Sequence, residues 1–478
     1  MGIMFRPVAK TFASQTPGTI DLEISDPVLM LNEVARRYET AERVLMEYVD
    51  NALDDAEALY RENGGAYPYP IHIELTIDRE RRAVSVLDNC RGMTRETLER
   101  VVRNVGESKK RGQTWVNGRF GFGVHAFRAA AERIQFQAQH AHGSHFVLEL
   151  QRDQHRGIKE GRRRDEPFPS DRGTGCLVTV SGFDVDWFRG VTAVSLQAEI
   201  ENHFERLLAR PDLQIAVSEK GEPLICRPFD YGAMAGPVLH HELNLEQKGE
   251  VFPVTVFLKV AQATAVHRPV SFFARGRRVG EAADIKSFMR KSTAKTAVWG
   301  HPHLTGFIEV GEIVQPIINR DDFVRTQGRT VLYEGLLPIE AELKTVLSGI
   351  NQQQSRETLG QVEEAVQAAV TAVVGSFPWQ VAFVSKAEEG RRVEVGNGRV
   401  TINTSHPDFQ ARARYTRQGN LQPTDRLNAY LATVLALAAM QPATATAQNL
   451  EQMLSAQANL IVELEARLRD QEHAAKKR

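Results

Sequence analysis

The segment Glu47–Ala56 (EYVDNALDDA) has the residue types and spacing that acid-base chemistry beside a metal ion requires. On a helix, Glu47, Asn51 and Asp54 lie at i, i+4 and i+7 and therefore project from one face. A carboxylate one turn from a carboxamide suits a base that activates water next to an oxygen ligand for Mg²⁺. The alternative is a solvated acidic face, but apolar neighbours in the same segment place this face close to a core.

The turn Asp88–Met93 (DNCRGM) is a second candidate, because it directly follows an alternating segment typical of a strand. An aspartate at a strand end can meet the amine of a ligand, and Gly92 lets the backbone pass close by. An ordinary Asx turn is the alternative for this segment.

A glycine-rich segment (GRFGFG) holds Gly118, Gly121 and Gly123 ahead of an apolar run. Such a loop can present backbone N–H groups to phosphates, although it lacks the Gly-Lys-Ser/Thr of a Walker A loop. Upstream, the run Gly106–Arg111 (GESKKR) supplies cationic side chains that would meet phosphates or simply lie at the surface.

The fourth candidate, Gly173-Thr174-Gly175, precedes a strand-like run at Cys176–Val180. A hydroxyl at the start of a strand can bond a nucleotide base directly or through water. In isolation the pattern is only a turn.

In this order and spacing, the four segments resemble the motifs of the GHKL ATPase superfamily, which includes gyrase B subunits, heat-shock chaperones, histidine kinases, MutL and MORC-type proteins. EYVDNALDDA is similar to the gyrase-type N-box, and VLDNCRGM to the D-x-G-x-G box, with Cys90 in place of the first glycine. GRFGFGVHAF resembles the chaperone-type lid, and RGTGCLVTV the last strand motif. The sequence is therefore identified as a member of this superfamily, most similar in appearance to stand-alone bacterial or MORC-like members.

The resemblance implies a site for ATP and Mg²⁺. Glu47 would polarise the attacking water, Asn51 would ligate Mg²⁺, and Asp88 would accept a hydrogen bond from the adenine amine. Thr174 would bond near the base, and Asp54 would support the site from behind.

Other residues of the implied ATP site would line the base or wrap the phosphates as a lid closes. They are Gly92, Met93, Lys109, Gly118, Phe120, Gly121 and Gly123. Cys90 departs from the family pattern, and we expect its side chain to tighten the adenine pocket.

Two segments further on support a subclass with a transducer domain. Ser271–Val279 (SFFARGRRV) resembles the F-V-N-G-R-x-V stretch of MutL proteins. Gln315–Phe323 (QPIINRDDF) is similar to the transducer loop that sends a basic residue to the γ-phosphate, which would be Arg320 here. A cation there would stabilise charge that develops on the phosphoryl group. The alternative is that Arg320 pairs with Asp321 or Asp322.

Residues 271–295 are locally basic. Seven basic side chains stand against Glu281 and Asp284, an excess of about five that suits salt-dependent binding of DNA. They are Arg275, Arg277, Arg278, Lys286, Arg290, Lys291 and Lys295. A solvated face or an intersubunit contact is the alternative, because the whole chain is nearly neutral.

Periodicity predicts an α+β protein. Residues 28–62 carry helical periodicity that Asn63-Gly64-Gly65 should end. Ile71–Asp78 and Ala83–Asp88 are predicted as an antiparallel hairpin, and Thr94–Asn104 as a helix. With the resemblance, this gives a Bergerat-type ATP-binding sandwich, an α+β transducer domain and a mostly helical C-terminal region. The predicted boundaries of the N-terminal arm, ATP-binding domain, transducer domain and C-terminal region are 1–24, 25–190, 191–347 and 348–478.

The later segments are predicted in less detail. Further strands are predicted at His145–Gln151, Val251–Val260, Ser271–Ala274, Gly306–Ile318 and Arg392–Asn403, and further helices at Glu357–Val374, Asp425–Met440 and Asn449–Gln471. Apolar spacing between Leu450 and Leu468, interrupted by Gln457, indicates a short coiled coil or an amphipathic helix docked on its own domain. These C-terminal helices would offer a dimer contact or a site for a protein partner.

Composition favours a soluble, cytoplasmic protein. The 478 residues are 42% hydrophobic and 25% charged, with a net charge of -1, which excludes a disordered or collagen-like chain. The three cysteines form no C-x-x-C pair, so we expect reduced thiols and no metal framework. The N-terminus lacks an apolar secretory segment, and the apolar run from Leu427 ends at Met440, too soon to span a bilayer.

The sequence therefore predicts a slow, Mg-dependent ATP hydrolase that acts as an ATP-gated clamp. Lid closure would drive a nucleotide-dependent homodimer, and hydrolysis would reset it. DNA, a genome-maintenance complex or phage defence are settings that the resemblance allows. The alternative is a chaperone-like machine or a nucleotide-sensing scaffold that binds ATP, hydrolyses little and recruits a partner effector.

Overall fold

The computed structural model describes most of the chain and divides it into two compact units. The described residues are 26–103, 123–141, 143, 145–154, 159–161, 167–261, 268–317, 321–374, 380–385, 391–396, 399–415, 421–422 and 424–439. One unit comprises Met1–Lys259, Val270–Ser287 and Gly306–Leu332, and the other Val260–Pro269, Phe288–Thr305 and Tyr333–Arg478. The predicted domain boundaries stay a prediction.

An eight-stranded sheet forms the framework of the first unit. Its strands are β1 (Ile71–Asp78), β2 (Ala83–Asp88), β3 (Ala131–Gln139), β4 (Phe146–Gln151), β5 (Lys159–Gly161), β6 (Gly175–Phe183), β7 (Leu213–Ser218) and β8 (Leu224–Ile225). Their order is β5-β4-β3-β6-β2-β1-β7-β8, and β1 runs parallel to β7. The predicted hairpin is confirmed, because β1 and β2 pair in antiparallel fashion. Alternating apolar residues bury one face of each strand.

Helices accompany this sheet. They are α1 (Pro27–Ala35), α2 (Ala41–Glu62), α3 (Arg95–Arg103), α4 (Val185–Arg189), α5 (Ala193–His203) and α6 (Glu205–Leu208), with a 3-10 helix at Gly123–Ala129. The helical periodicity predicted over 28–62 is divided between α1 and α2. The side chain of Thr40 accepts from the Arg43 amide at 3.3 Å and caps a new helix, α2. Gly64 and Gly65 then stop α2 with positive φ angles.

A five-stranded sheet follows in the chain. Its strands are β9 (Val238–Gln247), β10 (Glu250–Val260), β11 (Ser271–Ala274), β12 (Arg277–Glu281) and β13 (Leu304–Glu309), in the order β12-β11-β13-β10-β9. A second 3-10 helix, Tyr231–Ala233, precedes β9. The strand predicted over Gly306–Ile318 is wrong beyond Glu309, because Gly311 takes a φ of +56° and turns the chain.

The rest of the described chain mixes helices with short strands. These elements are α7 (Lys286–Lys291), α8 (Thr296–Trp299), α9 (Gln327–Val374), β14 (Gln380–Val384), β15 (Val393–Gly396), β16 (Arg399–Asn403), α10 (Pro407–Gln410), β17 (Arg414–Tyr415), β18 (Leu421–Gln422) and α11 (Asp425–Ala439). β14, β16 and β15 form one small sheet, and β17 and β18 another. The predicted strand Arg392–Asn403 is thus a hairpin of two strands.

The α+β fold class is confirmed by these sheets and helices. The predicted helix Asn449–Gln471 and the coiled-coil stretch Leu450–Leu468 lie outside the described residues. Within the described part of the chain, no helix has the length and apolar character needed to cross a membrane.

Candidate active site

Helix α2 carries the first two predicted residues on successive turns. Glu47 is half-buried, and Asn51 is exposed. The backbone at Gly123 approaches the Glu47 carboxylate so closely that a Cβ there would lie 2.7 Å from Oε2. The end of the glycine-rich segment therefore meets the predicted base directly, and only glycine leaves room for this contact.

Asp88 closes β2 and is nearly inaccessible to solvent, with 5% exposure. Its Oδ1 accepts backbone N–H bonds from Cys90 at 3.0 Å and from Cys176 at 3.2 Å. Burial, with a smaller contribution from the nearby Asp55, raises the pKa of Asp88 to about 7, although the two N–H donors act in the opposite direction. The carboxyl group thus titrates near neutrality, at a position that its backbone donors fix.

Two glycines let the loops around Asp88 pack against each other. Gly92 has a φ of +74°, and a Cβ on it would lie 2.1 Å from the Gln139 carbonyl oxygen. Gly175 has a φ of +134°, and a Cβ on it would lie 2.0 Å from the Asp88 carbonyl oxygen. No other residue type fits either position without moving the backbone. The need for Gly175 is missed by the sequence analysis, although the glycine stands in the motif beside Thr174.

The two motif turns are also joined by a side chain. The Thr174 hydroxyl donates to the Cys90 carbonyl at 2.9 Å. The Cys90 thiol is buried and lies 3.9 Å from the Ala52 carbonyl of α2, so it packs against the helix. Met93 is half-buried and packs on the same core. Thr174 thus contributes to the architecture of the site, and its contact with a base stays a prediction.

An unpredicted ion pair ties the Asp88 turn to α2. The Arg91 guanidinium donates to Asp55 at 2.8 and 2.9 Å and to Glu62 at 2.9 Å. Asp55 also accepts the Arg91 backbone amide at 3.1 Å. Asp55 and Glu62, which lie two turns apart on α2, therefore fix the turn that follows β2. Nothing in a single sequence indicates which arginine would meet these carboxylates.

Behind Gly123, the short 3-10 helix is anchored in the core by α2. The Phe127 amide donates to the Tyr48 hydroxyl at 2.9 Å. His125 is 5% exposed, its Nδ1 accepts from Arg128 Nε at 3.3 Å, and its buried Nε2 has no partner in the described residues. Burial, with a smaller effect of Arg128, lowers the pKa of His125 to about 4, so the ring is neutral at physiological pH.

Asp54 lies on the buried side of α2 and meets a residue from the five-stranded sheet. Arg277 Nη2 donates to Asp54 Oδ1 at 2.9 Å, and its Nε donates to Asp50 Oδ1 at 2.6 Å. All three side chains are buried. Removing one partner from a buried ion pair costs about 3–5 kcal/mol, so this cluster holds α2 and β12 together.

The predicted DNA-binding patch includes Arg277, and the structure corrects this for that residue. At 1% exposure its guanidinium cannot reach a phosphate backbone. Arg275 and Arg278 are half-buried, and Arg278 pairs with Glu281 at 3.1 Å. The exposed members of the predicted patch are Lys286, Arg290, Lys291 and Lys295. Lys291 is paired with Glu334 at 3.0 Å.

Several predicted residues lie outside the described part of the chain. They are Lys109, Gly118, Phe120, Gly121 and Arg320. Of the predicted lid, only the final glycine, Gly123, is described. The structure brings Glu47, Gly123 and Asn51 to one region of α2, and Asp88, Gly92, Met93 and Thr174 to the turns that pack beside it.

The Asp88 carboxylate, which two backbone amides hold in place, can accept a hydrogen bond from the amine of a ligand. The exposed Asn51 carboxamide offers an oxygen ligand of the kind that Mg²⁺ takes, with further ligands from phosphates and water. Residues 38–163 match the family model described as histidine kinase-, DNA gyrase B- and HSP90-like ATPase. No curated protein matches the chain. This match supports membership of the GHKL superfamily for the segment 38–163.

Proposed function

We propose that the protein binds Mg-ATP at this site and hydrolyses it to ADP and phosphate. The observation that carries the proposal is that α2 and the turn after β2 are fastened together. The Cys90 thiol lies on the Ala52 carbonyl, and Arg91 pairs with Asp55. One rigid unit therefore carries both Asp88 and the Glu47–Asn51 pair.

Asp88 would hold the adenine. Two backbone amides fix its Oδ1, so the carboxylate is preorganised to accept from an exocyclic amine. The neighbouring Gly92, Met93 and Thr174 would lie around the base. Asp88 is buried, and a buried carboxylate or amine that lacks a hydrogen-bond partner is costly. The site therefore favours a ligand whose amine pairs with the Asp88 carboxylate.

Glu47 would act as the general base on the attacking water. Its carboxylate lies against the Gly123 backbone, where the lid loop ends, so a phosphate bound by the loop amides would lie near it. Asn51 would hold Mg²⁺, which would neutralise phosphate charge when bound. Lys109, Gly118, Phe120 and Gly121 would complete the lid, and Arg320 would reach the γ-phosphate.

The finer proposal is an ATP-gated clamp. ATP binding would close the lid and join two chains, and the C-terminal helices would supply a dimer contact or a partner site. The exposed Lys286, Arg290, Lys291 and Lys295 favour DNA as a partner because four cations lie within ten residues. Genome maintenance and phage defence are settings in which such a clamp would act.

Nucleotide titrations test the site. Full-length protein is titrated with ADP and ATP in excess Mg²⁺, beside Asp88→Asn and the surface control Asp186→Asn, whose side chain is 88% exposed. We expect binding by the wild type and Asp186→Asn and its loss in Asp88→Asn. Near-normal affinity in Asp88→Asn would overturn the adenine assignment. Binding without measurable turnover in the wild type would support the scaffold alternative.

Light scattering tests the clamp. The mass and radius of the full chain are measured without nucleotide, with ADP and with a non-hydrolysable ATP analogue. Dimerisation or compaction with the analogue alone supports gating by ATP. A mass and radius that do not respond to nucleotide contradict it.

A further inference from the structure

A single buried guanidinium connects the five-stranded sheet to the helix that carries Glu47 and Asn51. Arg277 begins β12, and it donates to Asp50 at 2.6 Å and to Asp54 at 2.9 Å. The three side chains are 1%, 5% and 3% exposed, respectively. Charge-assisted hydrogen bonds in such surroundings are strong and directional.

The two aspartates lie one helical turn apart, at i and i+4 on α2. A planar guanidinium that bonds both at once fixes the rotation of this turn about the helix axis. Asn51 directly follows Asp50, and Glu47 precedes it by three positions. Rotation of the turn would therefore displace both residues from any ligand that they share.

The other end of the link is equally well fixed. Arg275 and Gly276 form the tight turn between β11 and β12, with φ angles of +55° and +76°. Arg277 Nη1 donates to the Arg275 carbonyl at 3.1 Å, and the Gly276 amide donates to Glu309 at 3.1 Å. A Cβ on Gly276 would lie 2.7 Å from the Leu207 side chain, so the turn is also packed from outside.

We propose that Arg277 is a positioning residue for hydrolysis, which sets the orientation of Glu47 and Asn51 by holding Asp50 and Asp54. The inference rests on the proposed function, since it assigns Arg277 to the same reaction. The Asp88 carboxylate is held by the Cys90 and Cys176 amides and not by Arg277, so adenine binding should depend less on this link than hydrolysis does.

The test compares two substitutions of Arg277 with a control arginine that pairs with the same helix. In Arg277→Lys the charge stays, but one ammonium cannot replace the fork that spans both aspartates; Arg277→Gln removes the charge. The control is Arg210→Gln, because Arg210 also pairs with a buried carboxylate of α2, Glu57, about two turns beyond Asp50. Turnover, KM, ADP affinity and hydrogen exchange of the nucleotide-free protein are measured for each.

For both Arg277 variants we expect kcat to fall about tenfold or more, with ADP affinity within about twofold of the wild type. Amides of residues 47–56 should exchange faster than in the wild type, while β1 and β2 keep their protection. Arg210→Gln should lower the unfolding midpoint and leave kcat within about twofold. If Arg277→Gln does not fold, Arg277→Lys carries the same comparison.

Equal kcat losses in Arg277→Lys and Arg210→Gln would overturn the proposal, because both would then act only through stability. Unchanged exchange of residues 47–56 would overturn it as well. A wild type that binds ADP but has no turnover would instead refute the proposed hydrolysis. The exchange comparison would still decide whether Arg277 orients α2.

Discussion

The carboxylate of Glu47 lies against the backbone of Gly123, in a space that the absence of a Cβ leaves open. A methyl group at position 123 would come within 2.7 Å of Oε2. The atom that must yield is the end of a flexible side chain, so the conflict is relieved by moving Glu47 and not by unfolding the protein. A substitution that disturbs this contact should therefore lower activity while leaving stability nearly unchanged.

Gly123→Ala should reduce ATP turnover about tenfold or more while changing the free energy of unfolding by less than about 1 kcal/mol. Nucleotide affinity should stay near that of the wild type, because Asp88 is untouched. Steady-state kinetics and urea denaturation measure the two effects. Gly190→Ala is the control, since nothing lies within 4 Å of its added Cβ. Normal turnover in Gly123→Ala would show that the Glu47 position is not critical.

The raised pKa of Asp88 predicts pH-dependent binding of ATP. The ionised carboxylate accepts from the adenine amine more strongly than the neutral carboxyl group does, so affinity should fall as pH drops below about 7. Titrations in excess Mg²⁺ between pH 5.5 and about 8.5 measure this slope. Asp88→Asn should bind weakly at every pH. A wild-type affinity that is independent of pH in this range would contradict the assignment.

The same group has the opposite effect on the nucleotide-free fold. Because the folded pKa is raised from 3.8 to about 7, the stability that Asp88 contributes is complete below pH 3.8 and is lost as pH rises through 7. Asp88→Asn keeps an oxygen for the Cys90 and Cys176 amides but cannot ionise. Its unfolding midpoint should therefore decline less than that of the wild type over this window.

Gly175 and Gly173 form a matched pair for testing the packing around Asp88. Gly175→Ala places a Cβ 2.0 Å from a backbone oxygen, whereas Gly173→Ala at a φ of +68° meets nothing within 4 Å. We expect losses of about 3 kcal/mol or more for Gly175→Ala and about 1 kcal/mol for Gly173→Ala. Equilibrium denaturation measures both. Equal losses would mean that backbone conformation alone, and not the close approach, requires glycine.

In the second unit, Glu340 should make the fold sensitive to acid. Burial alone would raise its pKa, but hydrogen bonds from Ser292, Thr293, Trp299 and the Ala294 amide prevail and lower it to about 2. A depressed pKa contributes stability above the unfolded value of 4.5, and this stability is lost as pH falls toward 2.

The Glu340 prediction is measured by urea midpoints of the wild type, Glu340→Gln and the exposed control Glu342→Gln. Glu340→Gln should lose about 3 kcal/mol at neutral pH, because it loses charge-assisted bonds, and should show a flatter decline in acid. Glu342→Gln should follow the wild type. Identical acid profiles for all three proteins would contradict the role of Glu340.

Helices and strands whose formation depends on residues close in the sequence can be predicted from local patterns. The alternation in β1 and β2 is explicit in the sequence, and both strands begin and end where predicted. The motif on α2 predicts that Glu47 and Asn51 lie on one face of the helix, because the face on which a helical residue lies depends only on its spacing along the chain. The break before α2 could have been recognised from Thr40 as an N-cap, with Glu42 in the first turn.

Contacts between distant residues cannot be predicted from one sequence. Arg277 and Asp50 are separated by 227 positions, and charge density alone suggested that this arginine faces solvent. The pair of Arg91 and Asp55 likewise forms only in the folded chain, where the turn after β2 packs beside α2. Side-chain burial decides between a DNA-binding cation and a structural ion pair, and burial is a property of the folded chain.

Paired binding and turnover measurements on Glu47→Ala test the central claim most directly, with the surface variant Glu33→Ala as control. Glu47 is assigned to the attacking water and not to the ground-state nucleotide, so Glu47→Ala should bind Mg-ATP as the wild type does and lose turnover at least about 100-fold. Glu33, whose side chain is 52% exposed on α1, should be replaceable without effect. Wild-type turnover in Glu47→Ala, or loss of nucleotide binding together with turnover, would contradict the account.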